Sequence, residues 1–318
     1  MEIPFENLTT LLSKSKDLAY NPSVVRPLHF LFLFFLICIW GVSFTASKIA
    51  LQTLPPIFLC FLRFALSSIP FIFFVKRPPI ALIKLALYGF LMFALQFSLL
   101  FSAMKAGITP ALASVLLQCQ AFFAIGLGIF FLKESYRLSQ TIGALTSFLG
   151  IFLIASHIGG DITFLGLFFV LSAAAMWATG SLLVKKMEGG QGFPLVIWSS
   201  FLACPPLFLL SYFLETPEVI LKGLTNLSWL QFGSIFYVAY FGTLTGFGLW
   251  NYLHRFYPLS KLAPFTLLVP IVGILSSVIA FNEPLPWWKI TATLFILGGL
   301  CINVLTSKSR ASISQKIP

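Results

Sequence analysis

The stretch Gly107–Glu134, GITPALASVLLQCQAFFAIGLGIFFLKE, decides how the rest of the chain is read. Thr109-Pro110 is a helix start, because proline is tolerated in a first turn whose N–H has no intrahelical partner. From Pro110 to Leu132 no charge interrupts the apolar run. A helix needs about 20 such residues to cross the hydrocarbon of a bilayer. Ser114, Gln118 and Gln120 lie inside that run, where lipid offers no hydrogen bonds. Polar groups at such a depth face other helices or a water-filled cavity.

Working outward, charge-free apolar runs recur along all 318 residues, with 58% hydrophobic and 9% charged residues and a mean hydropathy of +0.98. Soluble domains carry about 25% charged residues. The composition therefore predicts an all-α polytopic membrane protein. Ten transmembrane helices are expected, near Leu28–Ser47, Leu54–Val75, Ala81–Met104, Pro110–Leu132, Leu138–Ser156, Ile162–Val184, Phe193–Phe213, Ser228–Trp250, Leu259–Phe281 and Trp287–Thr306. The run after the amino-terminal segment is too long for a cleavable signal.

The net charge of +11 sits in short connections between the apolar runs. That is what the positive-inside rule produces, and it argues against nucleic acid. With both termini cytoplasmic, 15 Lys and Arg fall on the inner side and 4 on the outer, leaving Arg63 inside a span. The expected organisation is a cytoplasmic segment 1–27, a five-helix unit 28–157, a second 158–306 and a cytoplasmic tail 307–318. The five cysteines all lie in apolar spans and read as small packing residues.

The two units show a repeat. Trp40 and Lys48 recur as Trp177 and Lys185 at an offset of 137, and Glu134 and Gly150 recur as Glu283 and Gly299 at an offset of 149. Each unit has an odd number of spans, so the second enters the membrane from the opposite side. Inverted repeats of this kind are used by secondary transporters to alternate access around a midplane site.

WGVSFTASKIAL at Trp40–Leu51, LRF at Leu62–Phe64, LASVLLQCQAFFAI at Leu112–Ile125 and LLVPIVG at Leu267–Gly273 carry a resemblance. From about Ile39 to Val304 the chain resembles the EamA family of the drug/metabolite transporter superfamily. The Gln-Cys-Gln-Ala-Phe-Phe piece is similar to the branch that exports cysteine and O-acetylserine. The resemblance implies a secondary transporter of the cell inner membrane, exporting small amino acids or their metabolites. It implies no set of binding residues, so these are inferred from the chain itself.

Arg63 lies mid-span, and no Asp or Glu lies in any span. An intramembrane cation needs water, carbonyls or an anion nearby. A substrate carboxylate is one partner; helix carbonyls or snorkelling are the other. Ser114 and Gln118 share a helical face, whereas Gln118 and Gln120 lie about 200° apart around the helix. One amide is then expected toward a cavity and the other toward a neighbouring helix, with interhelical bonding open for either. Trp40 and Trp177 line a cavity or pack; Gln96 and Tyr240 are further polar candidates. Lys48 suits anchoring or gating, and Pro264 and Pro270 offer kinks for a moving gate.

The expected ligand is a small zwitterionic metabolite, with the lipid bilayer as surroundings. No cofactor, metal or protein partner is implied. A multidrug exporter of the same superfamily is the alternative, but Arg63 would repel cationic drugs. An intramembrane enzyme is a remote one: the chain has no HExxH motif and no pair of span carboxylates. With no acid in the spans, no intramembrane carboxylate is available to carry a coupling proton.

Overall fold

Proline in the first turn opens helix after helix: Pro27, Pro56, Pro110, Pro194, Pro217 and Pro270. A computed structural model describes residues 26–133, 138–158, 162–185, 187, 192–254, 256–257, 262 and 265–314. Along these, α1 is Pro27–Ala50 and α2 is Pro56–Ile72. The helices Leu82–Gly89 and Gln96–Lys105, joined by the π-helix Phe90–Leu95, form α3. The helices Pro110–Leu116 and Gln120–Leu132, joined by a 3₁₀ turn at Leu117–Cys119, form α4. Next come α5 (Leu138–Ala155), α6 (Phe164–Lys185), α7 (Phe193–Leu214) and the short α8 (Pro217–Thr225). The helices Trp229–Phe236 and Gly246–His254 flank a π-helix at Tyr237–Thr245 and form α9. Last are α10 (Val269–Phe281) and α11 (Trp287–Ser314).

Among the described residues, seven of these helical segments are long and apolar enough to cross a membrane, and Pro56–Ile72, Val269–Phe281 and Trp287–Asn303 are shorter apolar helices. The fold is all-helical. Large side chains such as Phe73, Phe74, Phe130 and Phe152 point outward, as they do where lipid is the solvent.

The repeat seen in the sequence recurs in the backbone. At the 137 offset, α1 and α6 begin at Pro27 and Phe164, and α2 and α7 at Pro56 and Phe193. At the 149 offset, Gln120–Leu132 of α4 corresponds end to end with α10, Val269–Phe281. Each ends on a left-handed residue, Lys133 at φ 54° and Asn282 at φ 50°. The helices α3 and α9 both switch to π geometry eight residues after their start.

Small residues let the last helices of the two halves cross closely. A Cβ on Gly143 would lie 2.5 Å from the Gly299 carbonyl oxygen. The counterparts make the reciprocal contact: a Cβ on Gly150 would lie 2.6 Å from the carbonyl of Ala292. At the centre, Ser147 Oγ donates to the Ile296 carbonyl at 2.9 Å. Such reciprocity is what a two-fold relation between the halves requires, and close backbone approach is how membrane helices associate without a hydrophobic drive.

Three expectations about continuity change. The span from Pro110 is broken by its 3₁₀ turn. The span ending at Phe281 does not run unbroken through Pro270: residues 267–268 form a turn, and Pro270 occupies the first turn of α10. Proline there starts a helix where a kink was expected, because its missing N–H costs nothing at that position. The connection 214–227, the long one between the expected spans, contains α8.

Candidate functional site

The π-helix of α9 positions the most distinctive group of side chains. Widening the turn shifts the backbone register, and such segments often mark functional sites. Thr243 Oγ1 donates to the Val238 carbonyl, five residues back, at 3.0 Å. The same hydroxyl accepts from Arg63 Nε at 2.9 Å. The Arg63 guanidinium carbon sits 4.1 Å from the Phe97 ring centroid, a cation–π contact worth about 0.5–2 kcal/mol.

Arg63 is only 3% exposed. Its two Nη groups donate to no partner among the described residues. No carboxylate approaches it either: among the described residues, the buried or half-buried acids, Glu215 and Glu283, lie at helix ends. The result is a cation deep in the bundle, oriented by one hydroxyl and by the rings of Phe97, Phe64 and Phe101, the first of them the nearest, with its forked donors unspent. Planar N–H pairs of this kind match a carboxylate.

Trp40 stands beside it. Its Nε1 donates to the Gly242 carbonyl at 3.2 Å. A Cβ on Gly242 would lie 3.4 Å from Arg63 Nη2 and 2.9 Å from Ser43 Oγ, so one glycine separates the indole, the guanidinium and the hydroxyl. Gly246, one π-turn on, leaves room for the Trp40 indole, which any Cβ there would strike. Trp177 meets Trp40 edge to face with centroids 6.5 Å apart, and Phe247 stacks on Trp177 at 6.0 Å. Trp250 closes the group at 5.6 Å from Trp40.

Gln118, Gln120 and Ser114 form a separate locus between α4 and α10. Gln118 Nε2 donates to the Thr266 carbonyl at 2.8 Å, and Gln120 Nε2 donates to Gln118 Oε1 at 3.4 Å. The 3₁₀ turn brings the two amides into contact, where a regular helix would have set them on different faces. Ser114 Oγ donates to the Ala111 carbonyl at 2.7 Å and packs against Gly273, where a Cβ would lie 2.6 Å from it. Helix α1 separates the two loci, with Trp40 on one and Gly41 packed on Val272 of α10.

The remaining candidates divide. Gln96, the first α residue after the π-helix of α3, is fully buried, and neither amide atom has a partner among the described residues. Tyr240 packs its ring on Phe236 at 4.4 Å and Phe71 at 6.4 Å, away from the Trp pair. Lys48 Nζ donates to the Met104 carbonyl at 2.5 Å, and Lys105 Nζ to the Leu51 carbonyl at 2.9 Å, so each lysine caps the end of the other's helix. Pro270 is buried at the start of α10, and Pro264 lies outside the described residues. Thr243, Phe97 and Phe247 were not singled out from the sequence. For Thr243 and Phe247 the signal was the small-residue run FGTLTGFG at Phe241–Gly248, which marks close approach but not to what; Phe97, one of 37 phenylalanines, carried none.

The EamA-like transporter family matches residues 28–156 and 164–305. A Salmonella typhimurium (strain LT2) protein named a probable amino-acid metabolite efflux pump is 35% identical over 280 residues, covering 86% of this chain and 94% of its own. The Escherichia coli K12 protein of that name is 34% identical over 283 residues, covering 87% and 95%. A solved crystal structure superposes with a TM-score of 0.60 at 17% identity, covering 90% of this chain and 99% of that one. At that identity the likeness is one of fold.

Proposed function

The chain belongs to the EamA-like transporter family, and on that premise we propose that it exports small amino acids or their metabolites from the cytoplasm by alternating access. In this reading ten spans form two inverted five-helix units, 28–157 and 158–306. The three shorter apolar helices count as crossings, and both termini are cytoplasmic in the inner membrane. Substrates resemble cysteine and O-acetylserine.

The observation that carries the reading is Arg63, a buried guanidinium with unspent Nη donors and, among the described residues, no carboxylate to neutralise it. A zwitterion supplies the missing carboxylate. Trp40 stands beside it with Trp177 against Trp40, and Thr243 fixes the orientation of the fork. Rocking of the two units exposes this locus to each side in turn. Gln118, backed by Gln120, ties α4 to Thr266 just ahead of α10 in this state, and Gln118 exchanges its carbonyl partner for substrate in another. Gln96, Tyr240 and Ser114 are assigned to the wall of the pathway, and Lys48, Pro264 and Pro270 to its moving ends.

The names of the bacterial relatives favour amino-acid metabolites over cationic drugs, and the sign of Arg63 agrees. Overproducing the protein in a fed culture should raise extracellular cysteine or O-acetylserine. Accumulation of hydrophobic cations or aromatic amino acids alone would overturn the substrate class.

A further inference from the structure

At the end of the bundle away from the amino-terminal start of α1, one carboxylate ties the two halves together. Glu215, just past α7, accepts from the Ile57 and Phe58 backbone N–H groups at 2.6 and 2.8 Å. These belong to the first turn of α2, the helix that carries Arg63. Ser211 Oγ donates to the same carboxylate at 2.8 Å. A negative charge at a helix N-terminus satisfies orphan donors and meets the positive end of the helix dipole. The counterpart N-terminus, that of α7, is capped by no carboxylate among the described residues.

The chain then turns sharply. Thr216 sits at φ 59°, a left-handed conformation unfavourable for a β-branched residue. Beyond it α8 lies across the turn between α1 and α2, where a Cβ on Gly223 would be 2.8 Å from the Thr53 carbonyl. Between α7 and α8 runs an open apolar groove of about 330 Å³ lined by Phe58, Phe208, Tyr212, Ile220 and Leu224. The short helix thus covers the α1–α2 turn while resting on few packed contacts, a strained residue and one carboxylate.

We propose that Glu215 is the latch of an exit gate: its grip on the first turn of α2 holds α8 closed over the α1–α2 turn, and its release frees both. Glu215 is a positioning residue, acting on the Arg63 helix without touching substrate. The inference rests on the export reading and adds how its outer side is regulated.

The latch also senses pH. The charges around Glu215 are Lys105 at the end of α3 and Glu218 and Lys222 on α8, with the Cys60 thiol on α2 nearby. Burial raises the Glu215 carboxyl above its ordinary pKa, and the bonds from Ile57, Ser211 and Phe58 and the field of Lys105 offset this only in part. The closed state therefore binds a proton more tightly than an open state in which Glu215 is solvated. Acid outside favours closure, and the advantage fades as pH rises through the shifted value.

The test uses the full chain in proteoliposomes, with its native cysteines replaced and spin labels on Gln52→Cys and Asn226→Cys, both exposed positions. Pulsed dipolar spectroscopy then reads the distance from α8 to the α1–α2 turn without any substrate. The short distance should gain population as external pH falls. Glu215→Gln, which mimics the protonated group, should hold the short distance at every pH. Glu215→Ala should favour the long one by about tenfold, the scale of a lost charge-assisted bond, and Ser211→Ala should fall between. Acid lengthening the distance, or Gln and Ala behaving alike, overturns the latch. If the distances shift as stated while no amino acid is exported, the latch stands and the export reading falls.

Discussion

Trp40 and Trp177 stand at equivalent places in the two halves and touch each other, edge to face, with ring centroids 6.5 Å apart and planes at 86°. Residues related by a two-fold can meet only near its axis, so the pair marks the middle of the molecule. The partners are not alike, however. Trp40 donates its indole N–H to Gly242, while Trp177 stacks a face on Phe247. Trp40→Phe should therefore cost about 1 kcal/mol of stability for the lost bond and impair transport more than Trp177→Phe. Thermal unfolding in detergent and uptake into inverted vesicles measure the two effects, and equal losses would contradict the asymmetry.

Arg63 offers a sharper test of the carboxylate assignment. Lysine keeps the charge but not the planar fork or the ring stacking. Both Arg63→Lys and Arg63→Gln should reduce transport of zwitterions at least tenfold, with the protein still folded. Thr243→Val keeps the shape and removes the hydroxyl that orients Nε. It should raise KM several-fold with a smaller change in kcat, because substrate binding loses orientation while the conformational step persists. An Arg63→Lys protein with unaltered transport would exclude a bidentate role.

The glutamine locus predicts a different pattern. Gln118 bonds the Thr266 carbonyl across the α4–α10 contact, and its counterpart Leu267 carries no amide. Gln118→Leu should lose about 0.6–2 kcal/mol of interhelical stability and more transport than Leu267→Ala. A stability loss with transport intact would leave the amide as a helix tie alone. Equal transport losses in the two variants would point the same way.

Much of this was legible in the sequence, and for identifiable reasons. Apolar length reports a membrane helix whatever its partners, so seven long helices and the repeat of Trp40 with Trp177 could be read directly. Arg63 and the glutamines stood out because lipid makes any buried polar group conspicuous. What pattern alone hides is backbone register. The π-helix of α9 and the 3₁₀ turn of α4 carry no charge, glycine or proline at their starts, Tyr237 and Leu117, and Gly89 ahead of the π-helix of α3 packs against the Ser199 carbonyl. Yet the π register of α9 places Thr243 on Arg63, and the 3₁₀ turn brings Gln118 and Gln120 together. Glu215 was legible only as an acid outside the spans, since a helix-capping carboxylate is recognised by its distant partner and not by its neighbours.

Two adjacent glycines in α11 separate packing from propensity in a single experiment. A Cβ on Gly299 would land on the Gly143 carbonyl and the Ser147 hydroxyl, at the centre of the α5–α11 crossing. One Cβ on Gly298 would meet nothing within 4 Å. Helix propensity favours alanine over glycine equally at both positions, by about 1 kcal/mol in water. Crowding opposes it only at Gly299, where backbone and a short side chain have nowhere to move, and overpacking of this kind costs about 1–3 kcal/mol. Gly298→Ala should therefore leave the unfolding temperature unchanged or raise it, while Gly299→Ala lowers it. Gly143→Ala, which presses on the same crossing from the other half, should mimic Gly299→Ala. Because Gly143 and Gly299 face each other across one crossing, Gly143→Ala with Gly299→Ala should be non-additive. Additive losses, or a destabilised Gly298→Ala protein, would mean that the two halves do not join through this contact.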